Sequence, residues 1–352
     1  MSDEEEDMIC DLPSDAPTKT SNAGDLRKQL LSKKGLPPAP RPPRGAIHDN
    51  SILLWDKFFD EKREIAVNED TFNVYLKGKS GPIFYLLHGG GYSGLTWACF
   101  TEQLTSSIDC RILAPDLRGH GDTKCEDEAD LSTERQVADI ISIFEKIYDY
   151  ADDIDVCIIG HSMGGALAIH TAASHKLRAK ISGLVVIDVV EGSAMEALGG
   201  MVHFLHSRPS IFESPESAID WCIRSGTVRN RIAARISMPS QIRQISENEY
   251  GWRIDLTKTE QYWKGWFQGL SAKFLACPVP KLLVLAGVDR LDRDLTIGQM
   301  QGKFQTCVLP RVGHCVQEDS PDHLAEELTR FALRYQFAQK QEFHHFSSPA
   351  DL

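Results

Sequence analysis

Ser162 stands in Gly160-His161-Ser162-Met163-Gly164, between the apolar run Val156-Cys157-Ile158-Ile159 and the helix-forming segment Gly165-Ala166-Leu167-Ala168-Ile169. Strand, G-x-S-x-G and helix in that order make a nucleophile elbow, whose strained turn lifts the serine hydroxyl clear of the backbone. Glycines two positions before and after the serine let strand and helix approach without a clash. The positive end of the new helix lies beneath the hydroxyl. At neutral pH serine is a poor nucleophile. It needs a base, an acid that orients the base, and donors for an oxyanion.

In this arrangement the chain order is serine, acid, histidine, each on a loop at the carboxyl end of a strand. His314, in Val312-Gly313-His314-Cys315, follows the last strand-like run and fits the base. The other histidines fit less well: His161 lies inside the elbow, His120 precedes the serine, and His323, His344 and His345 fall on a helix or the tail. Three aspartates qualify as the acid. Asp188 ends Gly183-Leu184-Val185-Val186-Ile187, while Asp289 and Asp292 follow the later run Lys281 to Ala286. Spacing alone puts Asp289 slightly ahead. The oxyanion donors are expected from the backbone N–H of Met163 and from Gly89 or Gly90 in His88-Gly89-Gly90-Gly91. No G-x-x-x-x-G-K-[ST] or G-x-G-x-x-G pattern turns that glycine loop into a phosphate site.

These residues need a scaffold, and the surrounding pattern describes one. Ile83-Phe84-Tyr85-Leu86-Leu87 has no polar alternation, as expected of a strand covered on both faces. Arg111 to Ala114, 155–159, 183–187, 281–286 and Phe304 to Leu309 read as further strands. Helices are expected over Gly94 to Ser106, Thr133 to Tyr150 and Pro321 to Phe337. Buried strands alternating with helices predict an α/β, mostly parallel, doubly wound sheet. From about 191 to 276 the rhythm breaks into an amphipathic, helix-like insertion, read as a helical cap. It is rich in arginine and then in Tyr and Trp.

Residues 1–50 combine an acidic start with Leu36-Pro37-Pro38-Ala39-Pro40-Arg41-Pro42-Pro43-Arg44 and read as a disordered tail. The globular part spans 51–338, and 339–352 is expected to fray. Lys33, Lys34, Arg41 and Arg44 read as a solvated linker and only alternatively as a nuclear-localisation patch, so a cytoplasmic location is expected, with a nuclear one as the alternative. The 352 residues carry 38 Lys+Arg against 50 Asp+Glu, a net charge of −12, which argues against nucleic-acid binding. No apolar run nears the ~18 residues of a membrane span. Nine scattered cysteines without a C-x-x-C pair suggest core packing in a reducing compartment and no metal site.

Leu87-His88-Gly89-Gly90-Gly91, Asp116-Leu117-Arg118-Gly119-His120-Gly121 and the elbow are shared by many α/β-hydrolases. Ile187-Asp188-Val189-Val190-Glu191-Gly192, Tyr262-Trp263-Lys264-Gly265-Trp266-Phe267 and the stretch from Leu285 to Phe304 are more specific. Over about residues 50 to 338 the sequence resembles the protein phosphatase methylesterases. That resemblance implies an α/β-hydrolase fold and removal of the methyl ester from the C-terminal leucine of the protein phosphatase 2A catalytic subunit. It puts the nucleophile on Ser162, the base on His314 and the acid on Asp188, displacing Asp289, and it implies no cofactor. Members often carry a long acidic insert before the Trp-Arg-Ile motif; here only Gln244 to Tyr250 precedes Trp252. Because a methyl leaving group offers almost nothing to bind, specificity must come from the acyl side. The cap residues Tyr262, Trp263, Trp266, Arg229 and Arg235 are candidate substrate contacts. A small-molecule esterase, or a phosphatase-binding protein whose hydrolysis is secondary, are the competing expectations.

Overall fold

The computed structural model describes residues 49–148, 153–287 and 291–341. All but the last two residues of the expected N-terminal tail, and Asp289, therefore lie outside the described residues. The first strands in chain order are β1 (Glu61–Val67), β2 (Asp70–Lys77), β3 (Ile83–Leu87), β4 (Ile108–Asp109), β5 (Arg111–Pro115), β6 (Asp155–His161) and β7 (Lys180–Ile187). The insertion adds β8 (Ile211–Phe212), β9 (Ile242–Ser246) and β10 (Glu249–Trp252), and β11 (Lys281–Leu285), β12 (Gln305–Val308) and β13 (Gln339–Lys340) follow. The main sheet has the order β1-β2-β5-β3-β6-β7-β11-β12. β5 through β12 in that order run parallel, while β2 is antiparallel to β5 and β1 antiparallel to β2.

Successive side chains of a strand point to opposite faces, and β3 shows what that does here. Phe84 and Leu86 enter one apolar cluster with Trp97, Phe100, Leu328 and Phe331. Ile83, Tyr85 and Leu87 enter the other with Ile140, Phe144 and Leu167. The helices supplying those partners are α1 (Ala98–Ser107), α2 (Thr133–Ile147) and α3 (Met163–Ser174), later joined by a helix at Pro321–Arg334. α2 starts where the Ser132 side chain accepts the N–H of Arg135, and it buries Val137, Ile140, Ile141 and Phe144. It stops at Ile147, short of the expected Tyr150.

The insertion is not purely helical. It holds α4 (Glu191–His206), α5 (Pro215–Ser225), α6 (Arg231–Ser237), α7 (Glu260–Phe267) and α8 (Leu270–Ala276). It also holds an antiparallel sheet in the order β8-β10-β9, which the helical reading missed. Strands of two to five residues are too short to show a period of two. α5 is delimited by recognisable caps, Ser214 with Ser217 in a capping box and Gly226 in the left-handed conformation at φ 74°.

After α9 (Arg293–Met300) and the single turn α10 (Val316–Asp319), α11 (Pro321–Arg334) closes the fold. Gln336 at φ 58° breaks the chain direction, so the helix does not continue to Phe337 as expected. Phe337 turns inward instead, and Gln339 and Lys340 pair with Asp109 and Ile108. The start of the expected frayed tail is thus a strand.

Candidate active site

Three strands deliver the candidate residues from their carboxyl ends: β3 leads into His88-Gly89-Gly90-Gly91, β6 into Ser162 and β7 into Asp188. The loop after β12 supplies His314. Ser162 adopts φ 52° and ψ −118°, a conformation L residues rarely hold. Its neighbours explain why the turn demands glycine. A Cβ on Gly160 would lie 2.0 Å from the Gly164 carbonyl oxygen, and one on Gly164 would lie 2.2 Å from that of Leu87. Met163 is the first residue of α3, so its N–H has no acceptor within the helix.

His314 Nδ1 is 2.7 Å from Asp188 Oδ2, and Asp188 Oδ1 accepts the N–H of Ala286 at 2.8 Å. Burial would raise the Asp188 pKa, but the His314 ring and the Ala286 N–H outweigh it and hold the carboxyl below its ordinary value. Asp292, another aspartate the spacing left open, is engaged elsewhere. It caps α9 through Leu295 N–H at 2.9 Å and accepts from Ser271 Oγ at 2.5 Å. No hydrogen bond joins Ser162 Oγ to the His314 ring, a contact that in free enzymes often tightens only with substrate bound.

The glycine loop lies against the elbow. A Cβ on Gly89 would come within 2.9 Å of His161 Nδ1 and 3.3 Å of Ser162 Cβ. Two buried histidines fix this loop. His88 Nε2 accepts the N–H of Leu117 at 2.9 Å, and His120 Nε2 accepts that of Gly91 at 2.9 Å. Their Nδ1 atoms face the carbonyls of Gly89 and Arg118, which can only accept, so both rings carry the proton there. Burial keeps both neutral, His120 lowered to about 4. His161 has a similar post, its Nε2 2.8 Å from the His314 carbonyl and its pKa lowered by burial to about 3. None of these structural roles was visible in the sequence, because each depends on a backbone atom distant in the chain.

Ser162 and His314 open onto one cavity of about 170 Å³, walled mainly by apolar side chains such as Met163, Leu198, Met201, Trp252, Trp263 and Trp266. The model of the alpha/beta hydrolase family matches residues 84–327. A Caenorhabditis elegans protein named "Probable protein phosphatase methylesterase 1" is 63% identical over 100% of this chain and 97% of its own length. Protein phosphatase methylesterase 1 of Homo sapiens is 46% identical over 84% of this chain and 88% of its own.

The chain belongs to the protein phosphatase methylesterase family of α/β-hydrolases.

It is an esterase. Among solved structures, E-2-(acetamidomethylene)succinate hydrolase superposes with a TM-score of 0.63 at 21% identity, covering 77% of this chain and 98% of the other. A Mycobacterium tuberculosis esterase does so with a TM-score of 0.59 at 24% identity, covering 78% and 92%. These two share the fold.

In this methylesterase the cap residues singled out from the sequence separate into two groups. Trp263 and Trp266 line the cavity, their indole N–H groups donating to Thr259 Oγ1 at 2.7 Å and the Leu131 carbonyl at 2.8 Å. Tyr262 packs half-buried against the same apolar cluster without reaching the cavity wall. Neither Arg229 nor Arg235 lines the cavity. Arg229 donates to the Arg311 carbonyl at 2.6 Å, while its N–H meets Asp319 Oδ1 at 2.6 Å. Asp319 Oδ2 accepts the N–H of Gly313 at 2.6 Å, so the pair braces the loop that carries His314. Arg235 binds the Ser51 carbonyl at 2.6 Å and the Ser51 hydroxyl at 2.5 Å.

Proposed function

We propose that this esterase hydrolyses the methyl ester on the C-terminal leucine of the protein phosphatase 2A catalytic subunit through Ser162, His314 and Asp188. The observation that carries the reading is the 2.7 Å pair between His314 and Asp188 at the cavity onto which the strained Ser162 opens. In the first step His314 takes the proton of Ser162 as Oγ attacks the ester carbonyl, with Asp188 holding the ring in the productive tautomer. The N–H groups of Met163 and of Gly89 or Gly90 receive the oxyanion. The tetrahedral intermediate expels methoxide, which takes the proton from His314 and leaves as methanol. Water, losing a proton to the same ring, then attacks the acyl-enzyme and frees the carboxylate.

The protein substrate is supported by the names of the relatives and by the cavity, whose apolar wall suits a leucine side chain. Incubating the methylated phosphatase with wild type and Ser162→Ala, and following methanol release and the mass of the phosphatase tail, tests it. Wild type should remove 14 Da and the variant nothing. Demethylation by the variant would overturn the assignment of Ser162, and an untouched tail with wild type would overturn the substrate.

A further inference from the structure

Arg118 and Arg208 are held among other side chains in opposite ways. Arg118 is buried with partners: its guanidinium donates to Asp139 Oδ2 at 2.7 Å, to the Asp127 carbonyl at 2.7 Å and to Asp70. Those hydrogen bonds outweigh burial and raise its pKa. Arg208, just beyond α4, lines the cavity onto which Ser162 opens. Among the described residues its guanidinium has no carboxylate partner and no hydrogen-bond acceptor, and Nε is shielded from solvent as well. Burial accordingly lowers its pKa.

What Arg208 does have is a platform. Its guanidinium carbon lies 4.2 Å from the centre of the Trp252 ring, a cation–π distance. The Trp252 ring is fixed on all sides that matter: Nε1 donates to the Pro209 carbonyl at 2.7 Å, and Phe212 and Trp221 pack edge-on at 5.5 and 5.7 Å. A cation stacked on a ring at the wall of a mainly apolar cavity, with its donors unused, is placed for an acceptor that arrives with a ligand. An esterified C-terminus has no carboxylate, so the first strong acceptors upstream of the reacting group on a peptide are main-chain carbonyls. An alkyl ester offers none.

We propose that Arg208 is a specificity-determining residue that donates hydrogen bonds to a main-chain carbonyl of the acyl-side peptide, so that the site selects peptidyl methyl esters over alkyl methyl esters. The proposal rests on the esterase reading above and adds the group that reads the peptide. A donor aimed at a substrate acceptor discriminates strongly against an analogue lacking it.

The test compares kcat/KM of the full-length protein for N-acetyl-alanyl-leucine methyl ester and for methyl 4-methylpentanoate, the same side chain without the amide. In Arg208→Met, which keeps an unbranched stem on Trp252 but no donors, the ratio of the two values should fall roughly 10- to 100-fold, mainly through KM. Arg208→Lys, with a point charge in place of the planar fork, should fall between. Circular dichroism checks that both variants fold. If both substrates lose the same factor, so that the ratio holds, Arg208 only packs on Trp252 and the proposal is overturned. A wild-type protein that demethylates the phosphatase but cleaves neither small ester, or cleaves both equally, overturns the inference alone; one that also leaves the phosphatase methylated overturns the proposed function with it.

Discussion

At Ser162 the backbone and the chemistry make opposing demands. A non-glycine residue at φ 52° costs on the order of 1–3 kcal/mol, and the surrounding turn enforces it. Ser162→Gly should therefore unfold at higher urea than Ser162→Ala, by about 1 kcal/mol, although both lose the hydroxyl. Equal midpoints would mean the turn is not strained. Asp188→Asn would keep the acceptor for Ala286 N–H while presenting His314 with a group that can hold the wrong tautomer. It should lower kcat for a methyl ester by about 10³- to 10⁴-fold with a smaller change in KM. Because the Asp188 carboxyl lies below its ordinary value, the ion it offers His314 persists above that value. It is lost only as pH falls through the folded one. A variant retaining more than a tenth of the wild-type kcat would remove Asp188 from the mechanism.

Between elements, Glu318 does the joining. It is fully buried on α10, four residues after His314, and accepts from Thr96 on the 3₁₀ turn Gly94–Trp97 and from Ser237 of α6 at 3.0 Å. The cap, the turn before α1 and the base-bearing loop meet at one carboxyl. Burial raises its pKa from 4.5 to about 8, against the pull of those hydroxyls. The folded state thus holds a proton that the unfolded chain releases, and stability should fall as pH rises from about 4.5 to 8. Glu318→Gln, neutral throughout, should flatten that limb of the Tm-against-pH curve; parallel curves for the two proteins would refute the assignment. The sequence revealed the elements here but not the joint. The apolar runs of the parallel strands and the Gly160-to-Gly164 turn announce themselves by local pattern. Which aspartate meets His314 depends on how two loops cross above the sheet, and spacing favoured Asp289 where the observed hydrogen bond is to Asp188. Trp252 stands out only as part of the Trp-Arg-Ile motif, and Arg208, a lone arginine, has no period to mark it.

Across the whole molecule the two ends of the parallel strands have different duties. Ser162, Asp188 and His314 follow carboxyl ends, and the segment 337–340 packs toward the amino ends. Phe337 lies 6.2 Å from Phe84 near the start of β3 and 5.9 Å from Phe331 of α11, ring centre to ring centre. Phe337 and Ala338 are buried, and the exposed pair Gln339–Lys340 then adds β13 to β4. Gly183 in β7 lies under this cluster, since a Cβ there would come 2.9 Å from Phe331 Cε1, 3.0 Å from Cys157 Sγ and 3.3 Å from Phe337 Cζ. Phe337→Ala should therefore cost about 3 kcal/mol, read as a lower urea midpoint at constant slope. Active-site titration should give the same kcat per folded molecule, because no contact of Phe337 reaches the cavity around Ser162. A loss of kcat in the folded fraction would show that the two strand ends are mechanically coupled, with stability and chemistry not separable in this fold.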